Sequence, residues 1–139
     1  MQPMKVFLAI AVLVLPYISM AGDSVFTGSF RGEGRACFGG LFVRTKTIEW
    51  NSSFSKCGPS AYVVLDQGLN EAQPKIAYRL IRRQKQCRSE VIELVYYEGQ
   101  AWSVNGYPTV EAYRNKDLPD WKDSLLPERA VMSCGVLKK

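Results

Sequence analysis

Between Lys75 and Tyr107 the chain alternates apolar and polar positions in three successive runs, Lys75–Arg82, Cys87–Tyr97 and Ala101–Tyr107. The polar turns RRQKQ and EGQ separate them. A period of two puts alternate side chains on opposite faces of a strand. In the middle run Ile92, Leu94 and Tyr96 share one apolar face, while Glu93 alternates with Val91 and Val95 on the other. One apolar face and one mixed face suit a sheet that is covered on one side and wet on the other.

The same pattern continues on either side. Asp23–Ala36 alternates but carries Gly28, Gly32 and Gly34, and Val25 and Phe30 fall out of phase, so a bend or bulge is expected near Gly28. Cys37-Phe-Gly-Gly40 reads as a turn. Leu41–Trp50 is rich in β-branched and aromatic residues and reads as one long strand. Its apolar set changes parity between Val43 and Ile48, which a bulge at Thr45–Thr47 would absorb. Asn51–Ser60 reads as loop, Ala61–Asp66 as a short strand, and Gln67–Pro74 as a polar connection. Beyond Tyr107-Pro108, Thr109 can cap a short helix from Val110 to about Lys116. Asp117–Pro127, with two prolines and Trp121, reads as an extended segment packed on the sheet, and Cys134 anchors the tail.

Composition narrows the setting. Lys5, ten apolar residues from Val6 to Leu15, and small residues at Ser19 and Ala21 predict a secretory signal peptide over residues 1–21. The apolar run is short of the roughly 20 residues that span a bilayer. Residues 22–139 are then expected to form a single β-rich domain, exported to the periplasm or the extracellular space. That part holds 17 basic and 13 acidic residues, a mild net +4 that favours an anionic partner. Asn51-Ser52-Ser53 fits the acceptor tripeptide for N-glycosylation, which matters only in a eukaryotic secretory pathway.

The four cysteines, Cys37, Cys57, Cys87 and Cys134, predict two disulfides in an exported chain. With no C-x-x-C pair and no histidine, a zinc site has little to recommend it. About six strands joined by short turns point to a mainly β fold, a small antiparallel meander curled into a barrel or half-barrel with one helix near the C-terminus. Strand alternation brings Cys57 and Cys87 to one end of it. It leaves Cys37 at the opposite end, where the terminal segment could bring Cys134. The expected pairs are therefore Cys57–Cys87 and Cys37–Cys134.

Chemistry is less legible. The lack of histidine removes the commonest general base and the usual Ser and Cys nucleophile partners. Glu90 and Glu93 are the nearest approach to a paired-carboxylate site, but their offset puts them on opposite strand faces, and a solvated face explains them better. No enzyme and no cofactor is expected. Arg79, Arg82, Arg83, Lys85 and Arg88 crowd the turn between two strands beside Cys87, an anion-attracting tip for an acidic protein or an anionic envelope component. Nucleic acid is a poor fit because no aromatics interleave with the charges. Trp50, Trp102 and Tyr96 are assigned to the core, and Trp121 is the tryptophan expected to be accessible for contact.

These features favour a non-enzymatic, exported protein-binding module of the inhibitor, immunity or envelope-associated kind. A barrel carrying a small ligand and a structural envelope protein are the rival readings. An eight-stranded barrel can hold one ligand, whereas a smaller one fills with its own side chains. Fewer than eight convincing strands therefore favour protein binding.

Overall fold

The computed structural model describes residues 25–69, 72–125 and 130–139, so the predicted leader lies outside the described residues. Eight strands follow one another around the sheet: β1 (Gly28–Gly32), β2 (Gly40–Val43), β3 (Thr47–Asn51), β4 (Lys56–Gly68), β5 (Lys75–Leu80), β6 (Val91–Glu98), β7 (Ala101–Tyr107) and β8 (Met132–Lys138). Every neighbouring pair is antiparallel, and β8 returns to β1 through Phe30↔Lys138 and Gly32↔Val136, closing the barrel. Helix α1 (Val110–Asn115) and a 3-10 turn (Pro119–Asp123) lie between β7 and β8.

The period-two positions point inward as their spacing demands. Leu41, Ile48, Trp50, Ile92, Leu94 and Val104 are buried within one continuous core. Each fully buried aliphatic or aromatic side chain contributes about 1.5–3 kcal/mol. At the end of the barrel where β7 begins, Phe26, Phe30 and Tyr96 set their ring edges against Trp102 at centroid distances of 5.8, 5.4 and 4.9 Å. Lys138 caps this cluster, its Nζ 5.7 Å from the Trp102 ring centre and donating to the Val25 carbonyl at 2.6 Å. This end is shut by aromatic packing.

Several expectations are corrected. Leu41–Trp50 is two strands, because the chain reverses at Arg44–Lys46 and pairs Leu41 with Trp50 and Val43 with Ile48. The change of parity marks that reversal, with no bulge. The bulge falls one strand later: Ile48 pairs with Ser60 and Trp50 with Cys57, leaving Gly58 and Pro59 opposite Glu49. A residue without an N–H is tolerated where the ladder is already interrupted. Much of the expected loop at Asn51–Ser60 is therefore strand, and β4 runs for 13 residues. The middle strand begins at Val91 instead of Cys87, and the tail beyond Cys134 belongs to β8. The strand count is eight, where six were expected. Part of the segment after Asp117 winds into the 3-10 turn.

The outer wall is not uniformly wet. Thr109 caps α1 as expected, its Oγ1 accepting from the Ala112 N–H at 3.0 Å. The helix then lays Ala112 and Tyr113 over Ala77, Val91 and Tyr107, forming a second apolar cluster outside the barrel. Glu93, expected on a solvated face, is only 5% exposed. A buried carboxylate needs hydrogen-bond donors to offset its lost hydration, and Asn105 Nδ2 at 3.0 Å and the Tyr107 hydroxyl at 3.3 Å supply them. The Tyr113 hydroxyl donates to Asp66 Oδ2 at 3.1 Å, tying the helix to β4.

Candidate binding surface at the loop end

Strand alternation puts four connections at one end of the barrel: Glu33–Gly39, Ser52–Ser55, Ile81–Glu90 and the one that leaves β7 at Pro108 and enters β8 from Val131. The opposite end carries the tight turns at Arg44–Lys46 and Gly99–Gln100 and the β4–β5 connection. Both predicted disulfides form, Cys57–Cys87 and Cys37–Cys134, and no cysteine is free. They do not lie at opposite ends. The extra reversal at Arg44–Lys46 returns Cys37 to the loop end, so the pairing holds for a reason other than the expected one. Two disulfides are the mark of an oxidising, exported environment.

Hydrogen bonds between loops reinforce these braces. Lys56 N–H donates to the Gln86 carbonyl at 3.0 Å, and Arg88 N–H to Ser55 Oγ at 2.9 Å. Gln84 Oε1 accepts from the Gly58 N–H at 3.0 Å, folding the basic turn down over the start of β4. Across the end, Ser53 Oγ donates to the Arg35 carbonyl, and Ser53 N–H to that of Ala36. Gly39 also approaches its neighbour closely: its φ is +134°, and a Cβ there would lie 2.1 Å from the Asn51 carbonyl oxygen. Glycine is the residue that accepts both that conformation and that proximity.

The predicted basic residues separate on this frame. Arg79 stays on the outer wall, 3.5 Å from Glu90. Arg83 turns toward the helix, its Nη1 donating to the Pro108 carbonyl at 3.0 Å. Arg82 is exposed, its N–H held by Ser60 Oγ at 3.1 Å. Lys85 and Arg88 line a cleft of about 420 Å³ with Lys56, Ser53 and Ser55. Trp121 stands apart from them, half-buried against the α1 cluster on the wall. The turn is thus a ten-residue strap across the barrel end, with its cations facing different neighbours.

The sequence reading missed the aromatic component. Phe38 is 78% exposed and Phe54 is 64% exposed, both on loops of this end. The hydrogen bonds from Ser53 to Arg35 and Ala36 brace the backbone of both loops. The available signal was an aromatic set among turn formers, in CFGG and NSSFSK. Phe54 and Arg88 also border a second cleft of about 410 Å³, walled by Pro108, Val131 and Met132 and floored by Ser89 and Gly106. Glu90 and Glu93 do not converge on either cleft: Glu90 pairs with Arg79, and Glu93 lies beneath α1. Among the described residues no cluster of three or more His, Cys, Asp or Glu could hold a metal ion. No family model, no curated protein and no solved structure matches the chain.

Proposed function

We propose that this protein is an exported, non-enzymatic binding module that grips an acidic protein partner with the loop end of its barrel. The observation that carries the reading is the convergence of four connections, braced by two disulfides, that hold Phe38 and Phe54 in water among Arg35, Lys56, Lys85 and Arg88. Pre-ordered loops lose little entropy on association, and exposed aromatics beside arginine supply the side chains that dominate interface energies. The cations add long-range attraction for an acidic surface, which sets the rate of encounter. The leader over residues 1–21 would deliver the chain to the periplasm or the extracellular space.

A carrier of a small ligand in the barrel is the competing reading, since eight strands are enough to enclose one. What favours protein binding is the filling of the barrel axis by Phe30, Ile48, Trp50, Leu94 and Val104, each at most 2% exposed. The test is affinity capture from an extract of the exported compartment, with Phe38→Ser/Phe54→Ser and Lys85→Glu/Arg88→Glu variants beside the native protein. Both variants should keep the native melting temperature, because the altered side chains are exposed, and both should lose the captured partner. Capture that persists in both variants and vanishes on altering Trp121 would move the surface to the wall.

A further inference from the structure

The two clefts at the loop end differ in chemistry and share a wall. The first, about 410 Å³, is walled by Phe54, Pro108, Val131 and Met132, and Arg88 is the charged side chain among its lining residues. The second, about 420 Å³, is lined by Lys56, Lys85 and Arg88 with Ser53, Ser55 and Gln86, and among the described residues no carboxylate lines it. Phe54 and Arg88 belong to both and form the ridge between them. We propose that the loop end recognises an extended peptide segment of its partner in which one large apolar side chain has carboxylates two residues away on either side. The apolar residue enters the Phe54–Val131 cleft, and a carboxylate crosses the ridge to Lys56, Lys85 and Arg88. This rests on the reading of the loop end as the recognition surface.

Scale and charge both select such a segment. Each cleft is large enough to take a side chain, and side chains on one face of an extended chain recur at every second residue, about 6.6–7.2 Å apart, so residues two apart can occupy adjacent clefts. The apolar cleft rewards burial of one aliphatic or aromatic group. The basic cleft holds three cations that are not neutralised from within, and a carboxylate there gains charge-assisted hydrogen bonds, bidentate at Arg88. The ridge is fixed: the Arg88 N–H is held by Ser55 Oγ, and the neighbouring Cys87 is bonded to Cys57. A bilayer would also accept Phe38 and Phe54, but a membrane surface has no single protruding group to fill a walled cleft. The observations therefore favour a peptide.

The test uses the folded, oxidised protein labelled with nitrogen-15 and three short blocked peptides with glycine flanks, whose central residues are Glu-Gly-Leu-Gly-Glu, Gln-Gly-Leu-Gly-Gln and Glu-Gly-Ser-Gly-Glu. The first should shift the amide resonances of residues lining both clefts, with a dissociation constant of about 1 mM or tighter. Each of the other two should bind at least about tenfold more weakly, and so should the first peptide to the Phe54→Ser and the Lys85→Glu/Arg88→Glu variants. Equal binding of all three peptides, or shifts centred away from the clefts, overturns the proposal. Binding to vesicles of phosphatidylserine and phosphatidylcholine with no response to any peptide also overturns it, in favour of a membrane. If no peptide binds but partner capture still depends on Phe54 and Arg88, the motif fails and the loop-end reading stands. If capture loses that dependence, both fail.

Discussion

Gly106 sits where the floor of the apolar cleft meets the barrel core, and adding one methyl group there tests the packing of both. A Cβ at this position would lie 2.2 Å from Ser89 Oγ and 2.7 Å from Trp50 Cζ3, against ordinary contacts of 3.4–4 Å. Ser89 is 1% exposed and Trp50 2% exposed, so neither has free space to withdraw into. Overpacking of this kind costs about 1–3 kcal/mol, while replacing glycine stiffens the unfolded chain and returns about 0.4–1 kcal/mol. The net loss for Gly106→Ala is therefore about 2 kcal/mol, using the upper end of the cost because the indole is fixed. For a domain of this size that is a fall of about 8 °C in Tm. Gly135→Ala is the control, because nothing lies within 4 Å of a Cβ there. It should gain about 0.4–1 kcal/mol. Guanidinium unfolding of the oxidised proteins at neutral pH measures both, with unchanged m-values confirming a common unfolded state. Adding Ser89→Ala to Gly106→Ala removes the Oγ contact and leaves the indole contact, so it should recover part of the loss. Equal stability of the two glycine variants, or full recovery in the double variant, would refute the claim that Trp50 is immobile.

Three further outcomes are expected. The Cys37–Cys134 bridge spans 97 residues and Cys57–Cys87 spans 30. Chain entropy then assigns them about 4.7 and about 3.6 kcal/mol, so Cys37→Ser/Cys134→Ser should unfold at lower denaturant than Cys57→Ser/Cys87→Ser, and the reverse order would count against the entropic account. Burial raises the pKa of the Tyr78, Tyr107 and Tyr113 hydroxyls above the usual 10.0, helped by Tyr62 beside Tyr78, Glu93 beside Tyr107 and Asp66 beside Tyr113. A folded pKa raised in this way contributes stability that is complete below about pH 10 and is lost as pH rises toward the folded values. Unfolding curves should therefore show no loss from these groups up to about pH 10 and a decline above it, while absorbance at 295 nm shows them ionising late. Thr109→Ala removes the cap of α1 and should cost about 1 kcal/mol, seen as faster hydrogen exchange in the helix with the barrel strands unaffected.

The barrel was legible because its walls obey period two. Ile92, Leu94 and Tyr96, and Trp102 with Val104, announce their inward faces, and Thr109 announces its helix. The hairpin at Arg44–Lys46 was hidden because its turn contains no Gly, Pro or Asn, and among the described residues only glycines adopt positive φ. Without a turn former, the break in parity at Val43 read as a bulge. The last strand was hidden because Gly135 interrupts its run of strand formers, although Met132, Cys134 and Val136 mark its inward face. Glu93 could not be placed from its own strand, because the donors that hold it in the wall are Asn105 and Tyr107 on β7, 12 and 14 positions away. The site was half visible. Charge density marked Lys85 and Arg88, but their meeting with Phe54 depends on Arg88 bonding to Ser55, 33 positions away.

The placement of both disulfides at one end bears on how the chain is made. Were the chain exported through a translocation pore from its N-terminus, as proposed, it would present Cys37 first, then Cys57, and only later Cys87. During that interval the two exposed thiols can pair with each other, and a bond between them would tie Cys37 to β4 in place of β8. Cys57–Cys87 can form once β4 and β5 have paired, but Cys37 must wait for Cys134 on β8. The final covalent closure therefore coincides with the docking of β8 against β1. Oxidative maturation should accumulate a one-bridge intermediate holding Cys57–Cys87, and a disulfide isomerase should accelerate the escape of chains trapped with Cys37 joined to Cys57.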